Sequence, residues 1–203
     1  MKIAIIGATG NVGSRLTEEA VRRGHAVTAL ARKASALPAR DGVTTRDVDI
    51  ADAPALTQAL AGHDVVISTV RFLQTSAAQI TAAVKAAGVR RLLVVGGAGS
   101  LYVAPGVQLV DTPSFPDAYK AEASAGRDFL NALRGEASLD WTFLSPSALF
   151  TPGERTGRFR LGKDDLLTAA DGKSWISMED YAIAMLDEIE QPRHVRERFT
   201  VGY

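Results

Sequence analysis

The chain has 203 residues, of which 46% are hydrophobic and 23% are charged, and its 23 Lys and Arg residues balance its 23 Asp and Glu residues. This size and composition suit one globular domain, and the balanced charge gives no reason to expect a nucleic acid or an anionic membrane as a partner. The absence of Cys excludes disulfides, thiolate nucleophiles and zinc–thiolate clusters, and is typical of the reducing cytosol.

Two apolar segments bear on localisation. The N-terminal segment MKIAIIGATG reaches Gly7 after an apolar run that is too short for a signal peptide. The uncharged run from Leu92 to Val110 is interrupted by glycines and by Pro105, so it predicts a strand that enters a loop and not a membrane-spanning helix. We therefore expect a cytoplasmic protein without a membrane segment.

Short apolar runs alternate with amphipathic segments along most of the chain. This alternation is typical of a parallel sheet with crossover helices and predicts an α/β fold, a Rossmann-like doubly wound parallel sheet. We expect residues 1–203 to form one domain, to which about 146–203 contribute a small C-terminal substrate lobe with a hairpin around Gly162. The predicted strands are 3–6, 27–31, 43–48, 64–69, 91–97, 140–145 and 198–203, and the predicted helices are about 11–23, 54–60, 75–88, 117–133 and 177–190.

Three glycines form the pattern G-x-x-G-x-x-G between the first predicted strand and the first predicted helix. In this context the first glycine allows a tight turn, the second lets the backbone approach a pyrophosphate, and the third lets the helix pack close to the strand. The free N–H groups of the helix N-terminus attract phosphate. The alternative is a glycine-rich turn without a ligand. The predicted dinucleotide contacts are Gly7, Thr9, Gly10, Asn11, Val12 and Gly13.

The residues after the second predicted strand indicate which dinucleotide is bound. An Asp or Glu at this place would accept a hydrogen bond from the ribose 2′-hydroxyl of NAD, but the sequence has Arg32 and Lys33. Two cations suit the 2′-phosphate of NADP, which an Arg can hold with two parallel hydrogen bonds. We therefore expect NADP(H) to be favoured over NAD(H), the alternative being a solvated basic pair.

Several stretches carry a family resemblance in a fixed order: GATGNVG, ALARK, DVDIAD, DVVIST, LLVVGGAGS, LDWTFLSPS and WISMEDYA. In them the chain resembles the atypical short-chain dehydrogenase/reductases, and within these the NAD(P)H-binding proteins similar to NADPH-dependent flavin reductases and biliverdin-IXβ reductase. Through GGAGSL and PGERTGRFRLG it is most similar to the subgroup of NADH-flavin reductases. The resemblance implies an NAD(P)H-dependent reductase.

The resemblance also implies roles for residues at the carboxyl ends of the predicted strands. Asp49 would receive the adenine amino group beside the backbone of Ile50, the alternative being a turn carboxylate. The other implied cofactor contacts are Ser68, Thr69 and Val70 at the ribose and phosphates, Gly96, Gly97 and Ala98 at the nicotinamide ribose, and Ser145 and Pro146 at the nicotinamide face.

The chain departs from the family in its catalytic residues. Typical members use a Ser with Tyr-x-x-x-Lys, whereas here Tyr119 is followed at once by Lys120 and, four positions on, by Ala123. Adjacent helical residues point about 100° apart, so Tyr119 and Lys120 remain candidate catalytic residues that cannot copy the usual geometry. No spacing of acids or histidines indicates a metal site.

A weak catalytic set favours an acceptor that needs little acid–base help. We expect hydride transfer from NADPH to a small planar partner, namely a flavin, a quinone or a similar conjugated acceptor, with a flavin as substrate and not as a bound prosthetic group. The long connection at 99–117 is expected to line its pocket with Leu101, Tyr102, Val103 and Phe115.

Two other functions stay open at this point. One is a non-catalytic NADP(H)-sensing regulator that binds a protein partner. The other, which the missing Tyr-x-x-x-Lys disfavours, is a nucleotide-sugar-type epimerase. We expect a monomer or a homodimer.

Overall fold

Twelve strands and five helices make up the molecule, which a computed structural model describes over residues 1–203. The strands are β1 (Lys2–Ile6), β2 (Ala26–Ala31), β3 (Val43–Asp47), β4 (Val65–Ser68), β5 (Arg91–Val95), β6 (Tyr102–Ala104), β7 (Val107–Gln108), β8 (Asp140–Pro146), β9 (Leu149–Thr151), β10 (Arg160–Gly162), β11 (Trp175–Ser177) and β12 (Glu197–Gly202). The helices are α1 (Asn11–Arg22), α2 (Ala53–Leu60), α3 (Ala77–Ala86), α4 (Asp117–Arg134) and α5 (Met178–Glu190).

Eight of the strands form a central sheet in the order β10-β12-β8-β5-β4-β1-β2-β3. Every neighbouring pair is parallel except β10 and β12. Helices α1 and α5 cover one face of the sheet, and α2, α3 and α4 cover the other. The predicted doubly wound parallel sheet is therefore confirmed. None of the five helices combines the length and the apolar character needed to cross a membrane.

Strand β1, which lies inside the sheet between β4 and β2, shows why its apolar run folds as a strand. In β1, Ile3 and Ile5 pack on the α1 and α5 side, and Ala4 and Ile6 pack on the opposite side. Successive side chains of a strand point to opposite faces, so a strand with helices on both faces must be apolar throughout.

The chain after β8 contributes β10 and β12 to the central sheet, and its strands β9 and β11 form a separate two-stranded sheet. The last strand, β12, lies parallel to β8, and α5 packs against α1. The predicted hairpin around Gly162 is wrong: β10 pairs antiparallel with β12, Gly162 lies opposite Thr200, and Asp165 bridges to Tyr102. Without β10, the backbone N–H and C=O groups along the outer edge of β12 would have no partner in the sheet. Strand β10 pairs with this edge and not with the residues that follow β10.

An ion-pair cluster fastens the exposed segment 152–158 to α1. Glu19, which is only 3% exposed, accepts hydrogen bonds from the Nε and Nη2 atoms of Arg155, each at 2.8 Å, and from Arg23 Nε at 2.8 Å. The hydrogen bonds from Arg155 and Arg23 lower the pKa of Glu19 to about 2, although burial acts in the opposite direction. The carboxylate form of Glu19 therefore stabilises the fold.

The acid dependence of folding should reveal this contribution. The pKa of Glu19 is lower in the folded chain than in the unfolded chain, so the stabilisation is present above about pH 4.5 and is lost as the pH falls toward 2. Replacing Glu19 by Gln should remove up to about 3 kcal/mol of this pH-dependent stability, as measured by urea unfolding at pH 7 and pH 3. Glu18→Gln, at an exposed position of the same helix, should keep the wild-type dependence; equal profiles for the two variants would contradict the assignment.

Candidate functional site

The turn from β1 into α1 depends on close backbone contacts. Gly7 has a φ of +85°, a conformation that favours glycine, and its N–H donates to the Leu30 carbonyl oxygen of β2 at 2.8 Å. A Cβ atom on Gly13 would collide with the Gly7 carbonyl oxygen and lie 2.8 Å from Ala8 Cα. The first turn of α1 therefore lies directly on the turn that leaves β1.

The N-terminus of α1 offers unpaired donors. Gly10 is the N-cap residue, no side chain caps the helix, and its first turn contains no acid. The N–H groups of Asn11, Val12 and Gly13 have no partner within the chain. Such a helix end carries a partial positive charge and binds phosphate groups.

A cleft of about 1010 Å³ opens beside this helix end, where the strand order reverses between β1, β2 and β4. Ligands of doubly wound sheets bind in this crevice, outside the carboxyl ends of the strands. The structure brings half of the predicted cofactor contacts into its lining: Gly7, Thr9, Gly10, Arg32, Lys33, Asp49, Ile50, Thr69 and Val70.

The two cations after β2 stand free at the cleft. Arg32 and Lys33 are exposed, and their side chains form no hydrogen bond or ion pair within the protein. Asp47, at the end of the neighbouring strand β3, is engaged by Ser35, whose N–H and hydroxyl donate to it at 2.7 and 2.6 Å. The hydroxyl and N–H of Ser35 lower the pKa of Asp47. The positive charge of Arg32 and Lys33 is therefore available to an anion in the cleft.

The opposite wall carries Asp49 and Ile50. One carboxylate oxygen of Asp49 accepts a hydrogen bond from the Ala51 N–H at 2.9 Å, so Asp49 does shape its own turn. Its second oxygen has no hydrogen-bond partner in the chain, and Asp49 is an exposed residue of the cleft lining. The Ile50 carbonyl oxygen is taken by Gln79 Nε2 at 2.6 Å, which leaves the Ile50 N–H as its free backbone group.

Ser68, the last residue of β4, and Thr69, which follows it, differ in accessibility. The hydroxyl of Thr69 contacts the carbonyl oxygens of Ile6 and Gly7 at 2.9 and 3.0 Å, and so ties β1 to β4 at the floor of the cleft. Ser68, only 2% exposed, is outside the lining. The main role of Thr69 shown by these contacts is to hold the glycine turn in place.

Two glycines follow β5: Gly96 is tightly packed, whereas Gly97 has open space beside it. The N–H of Gly96 donates to the Leu144 carbonyl oxygen at 2.8 Å, and a Cβ atom there would collide with the Phe143 ring. A Cβ atom on Gly97 would meet nothing nearer than Phe72 Cε2 at 3.9 Å. Gly97 and Ala98 are half-buried, so the backbone after Gly96 remains accessible to a ligand.

Ser145 and Pro146 lie beneath the surface. Both are buried, the Ser145 carbonyl oxygen accepts from Thr200 Oγ1 at 2.9 Å, and its hydroxyl faces Arg198 Nη1 at 3.4 Å. They support the carboxyl edge of the sheet from within and are not part of the cleft lining.

The structure does not bring Tyr119 and Lys120 to the cleft. Both are exposed in the first turn of α4, Tyr119 by 66%, and neither side chain forms a hydrogen bond. The position that holds Lys in the usual pattern is Ala123, which packs tightly on the turn after β5: a Cβ atom on Gly99 would lie 2.8 Å from Ala123 Cβ. This part of α4 therefore contributes packing.

Sequence reasoning missed several residues of the cleft wall. Arg71 directly follows Val70, so its place after a strand end could have revealed it. Gln74 and Gln79 come from a turn and from α3, and no local pattern marks them. The Glu122 carboxylate fixes that turn by accepting the N–H of Phe72 at 2.7 Å. The missed lining residues include Val48, Ala51, Arg71, Gln74 and Gln79.

A glycine turn, a free helix N-terminus and a cleft at the strand reversal together define a dinucleotide-binding protein of the Rossmann type. Residues 7–192 match the model of the family described as NAD(P)H-binding. The chain belongs to this family of NAD(P)H-binding oxidoreductases, which confirms the predicted family resemblance.

Known proteins resemble the chain over its full length. It is 44% identical over 211 residues to the uncharacterized protein YwnB of Bacillus subtilis, covering 99% of this chain and 98% of YwnB. A candidate epimerase from Bacteroides thetaiotaomicron is 44% identical with a TM-score of 0.94, covering 100% of this chain and 96% of its own. A candidate NADH-flavin reductase from Streptococcus pneumoniae is 36% identical with a TM-score of 0.83, covering 100% and 99%.

The two glycines after β5 should respond differently to a methyl group. Gly96→Ala should lower the free energy of unfolding by about 1–3 kcal/mol, because the new Cβ overpacks the Phe143 ring. Gly97→Ala, the matched control, should leave the urea midpoint unchanged, because its Cβ has open space. Equal midpoints for both variants would show that packing does not require glycine at Gly96.

Proposed function

We propose that the protein is an NADPH-dependent reductase that passes hydride to a flavin, a quinone or a similar planar conjugated acceptor. The observation that carries this proposal is a dinucleotide cleft with unpaired Arg32 and Lys33 side chains in its wall. The cleft lining contains neither Tyr119 nor Lys120, the two residues that stand where the family's Tyr-x-x-x-Lys is expected. NADPH, when bound, supplies the hydride.

The preference for NADPH rests on the charge at the end of β2. The 2′-phosphate distinguishes NADP from NAD, and it would meet an exposed guanidinium and ammonium that have no competing carboxylate partner. Arg in particular can donate two parallel hydrogen bonds to a phosphate. The pyrophosphate would be held by the backbone donors at the start of α1.

The choice of acceptor rests on what the chain places near the carboxyl end of β5. Gly97 and Ala98 stand there and carry no hydroxyl, and the hydroxyl of the buried Ser100 faces Arg198 Nη1 at 3.4 Å. Tyr119 and Lys120 are exposed on α4. Reduction of a simple ketone needs a positioned proton donor. A conjugated ring spreads the negative charge that arrives with the hydride and can take its proton from solvent. The residues of this chain would therefore bind and orient the two reactants.

We assign the acceptor to a second pocket, of about 600 Å³. Its walls are β6 with the turn after it and the segment 165–168, of which Leu167 packs on Gly202 at the carboxyl end of β12. Of the four residues expected to line an acceptor pocket, Tyr102 and Val103 line this one, whereas Leu101 is fully buried and Phe115 is outside its lining. Tyr102, Val103 and Leu166 give the pocket an apolar side that suits a planar ligand, and the rest of its lining includes the polar residues Asp165 and Thr168.

Reversing the charge of Arg32 tests the cofactor preference. Arg32→Asp should weaken NADPH binding about 10- to 100-fold, a loss of about 1.5–3 kcal/mol, and should leave NADH binding nearly unchanged, as measured by fluorescence titration. Arg46→Asp makes the same charge change at an exposed site outside the cleft lining and should preserve the wild-type preference. An unchanged NADPH to NADH affinity ratio in Arg32→Asp would refute the assignment.

Acceptor-dependent turnover tests the reaction. NADPH oxidation, followed by the loss of the absorbance of the reduced nicotinamide, should accelerate when FMN, FAD or a benzoquinone is added, and reduced acceptor should form in equal amount. Tight NADPH binding without turnover of any of these acceptors would overturn the proposal. That result would favour an NADP(H)-sensing protein instead.

A further inference from the structure

We propose that Arg198 and Asp164 form a positioning pair that holds the walls of the 600 Å³ pocket against the carboxyl edge of the sheet. The inference rests on the proposed function, because that pocket is the one assigned to the acceptor. Neither residue lines the pocket itself, so the pair would act through the segments that it joins.

Arg198 is a buried cation in β12. Its side chain is 2% exposed, and Asp164, whose side chain is 50% exposed, is its counter-ion. Arg198 Nε donates to Asp164 Oδ1 at 2.8 Å, Nη2 donates to the same oxygen, and Nη1 faces the hydroxyl oxygens of Ser100 and Ser145 at 3.4 Å each. A guanidinium taken out of water is costly unless it is paired and hydrogen-bonded, so these contacts hold their segments in place.

The partners of Arg198 come from three separate segments. Ser100 follows the Gly97–Ala98 turn after β5, Ser145 lies near the end of β8, and Asp164 directly precedes the pocket wall at 165–168. The Arg198 guanidinium therefore joins the end of β8 to the segment that follows β5 and to the segment that precedes the pocket wall at 165–168. Its planar fork sets the directions of these contacts as well as their lengths.

Asp164 also connects the two pocket walls to each other. Its carbonyl oxygen accepts the Tyr102 N–H at 2.8 Å, and the Tyr102 carbonyl oxygen accepts the Leu166 N–H at 2.9 Å. Tyr102 and Leu166 both line the pocket. A change at the Asp164 carboxylate should therefore move the two walls together.

The cofactor cleft shares none of these contacts. Arg198, Asp164, Ser100 and Tyr102 are all absent from its lining. If Arg198 and Asp164 position the pocket walls, a change in the pair should alter the affinity for the acceptor and should not alter the affinity for NADPH. A general loss of folding would disturb both.

Kinetics of Asp164→Asn provide the first test. Asp164 is the half-exposed member of the pair, so its replacement by Asn places no new group in the core. The loss of its charge should raise the acceptor KM about tenfold. The kcat and the NADPH Kd should stay within about twofold of the wild type. Asp164→Glu, which restores the carboxylate, should recover part of the acceptor affinity. Asp171→Asn is the matched control, because Asp171 forms an exposed ion pair with Lys173 at 3.0 Å and has no contact with Arg198.

Hydrogen exchange provides a test that does not depend on turnover. In Asp164→Asn the amides of Tyr102 and Leu166 should exchange faster than in the wild type and in Asp171→Asn, while those of α1 should be unchanged. If the wild type reduces no acceptor, the proposed function fails, and the exchange rates still decide whether the pair positions the walls. Unchanged exchange and acceptor KM, or equal changes in acceptor KM and NADPH Kd, would overturn the positioning role.

Discussion

The close packing of α1 on the turn after β1 depends on the absence of a side chain at Gly13. With a Cβ atom there, the helix would have to move away from the Gly7 carbonyl oxygen and from Ala8. The three free N–H groups at the helix start would move with it, away from the cleft. Thr69 stabilises the same turn from β4. The phosphate-binding geometry and the central strand pairing are therefore parts of one local constraint.

The buried charges of the fold and the two cations at the cleft differ in whether they are paired. Buried charges such as Glu19 and Arg198 are paired, because an isolated charge inside a protein is costly. Arg91 pairs with Glu188 at 3.0 Å, and its Nε is the one buried side-chain polar atom without a partner. Arg32 and Lys33 are exposed and unpaired beside the cleft. Because water solvates these two exposed cations, leaving them unpaired costs little free energy. Both cations are therefore free to contact a ligand.

Helix α4 packs on the turn that follows β4 and on the turn that follows β5. Its Glu122 carboxylate holds the Phe72 N–H in the turn that borders the cofactor cleft. The next residue of the helix, Ala123, packs on Gly99. One turn further on, Gly126 leaves room for the Phe72 ring. Small side chains are needed at these contacts because the backbones approach closely. These packing contacts of α4 do not involve Tyr119 or Lys120.

The sequence by itself determined the features that depend on neighbouring residues. The apolar runs predicted the central strands, and the glycine pattern predicted the turn into α1, because periodicity and backbone freedom are local properties. Only the tertiary structure decided that β10 pairs with β12, that Ser145 is buried under Arg198, and that Gln79 reaches the cleft. Those outcomes depend on which distant segments compete for the same strand edge, buried charge or wall, and no local pattern in the chain records that competition.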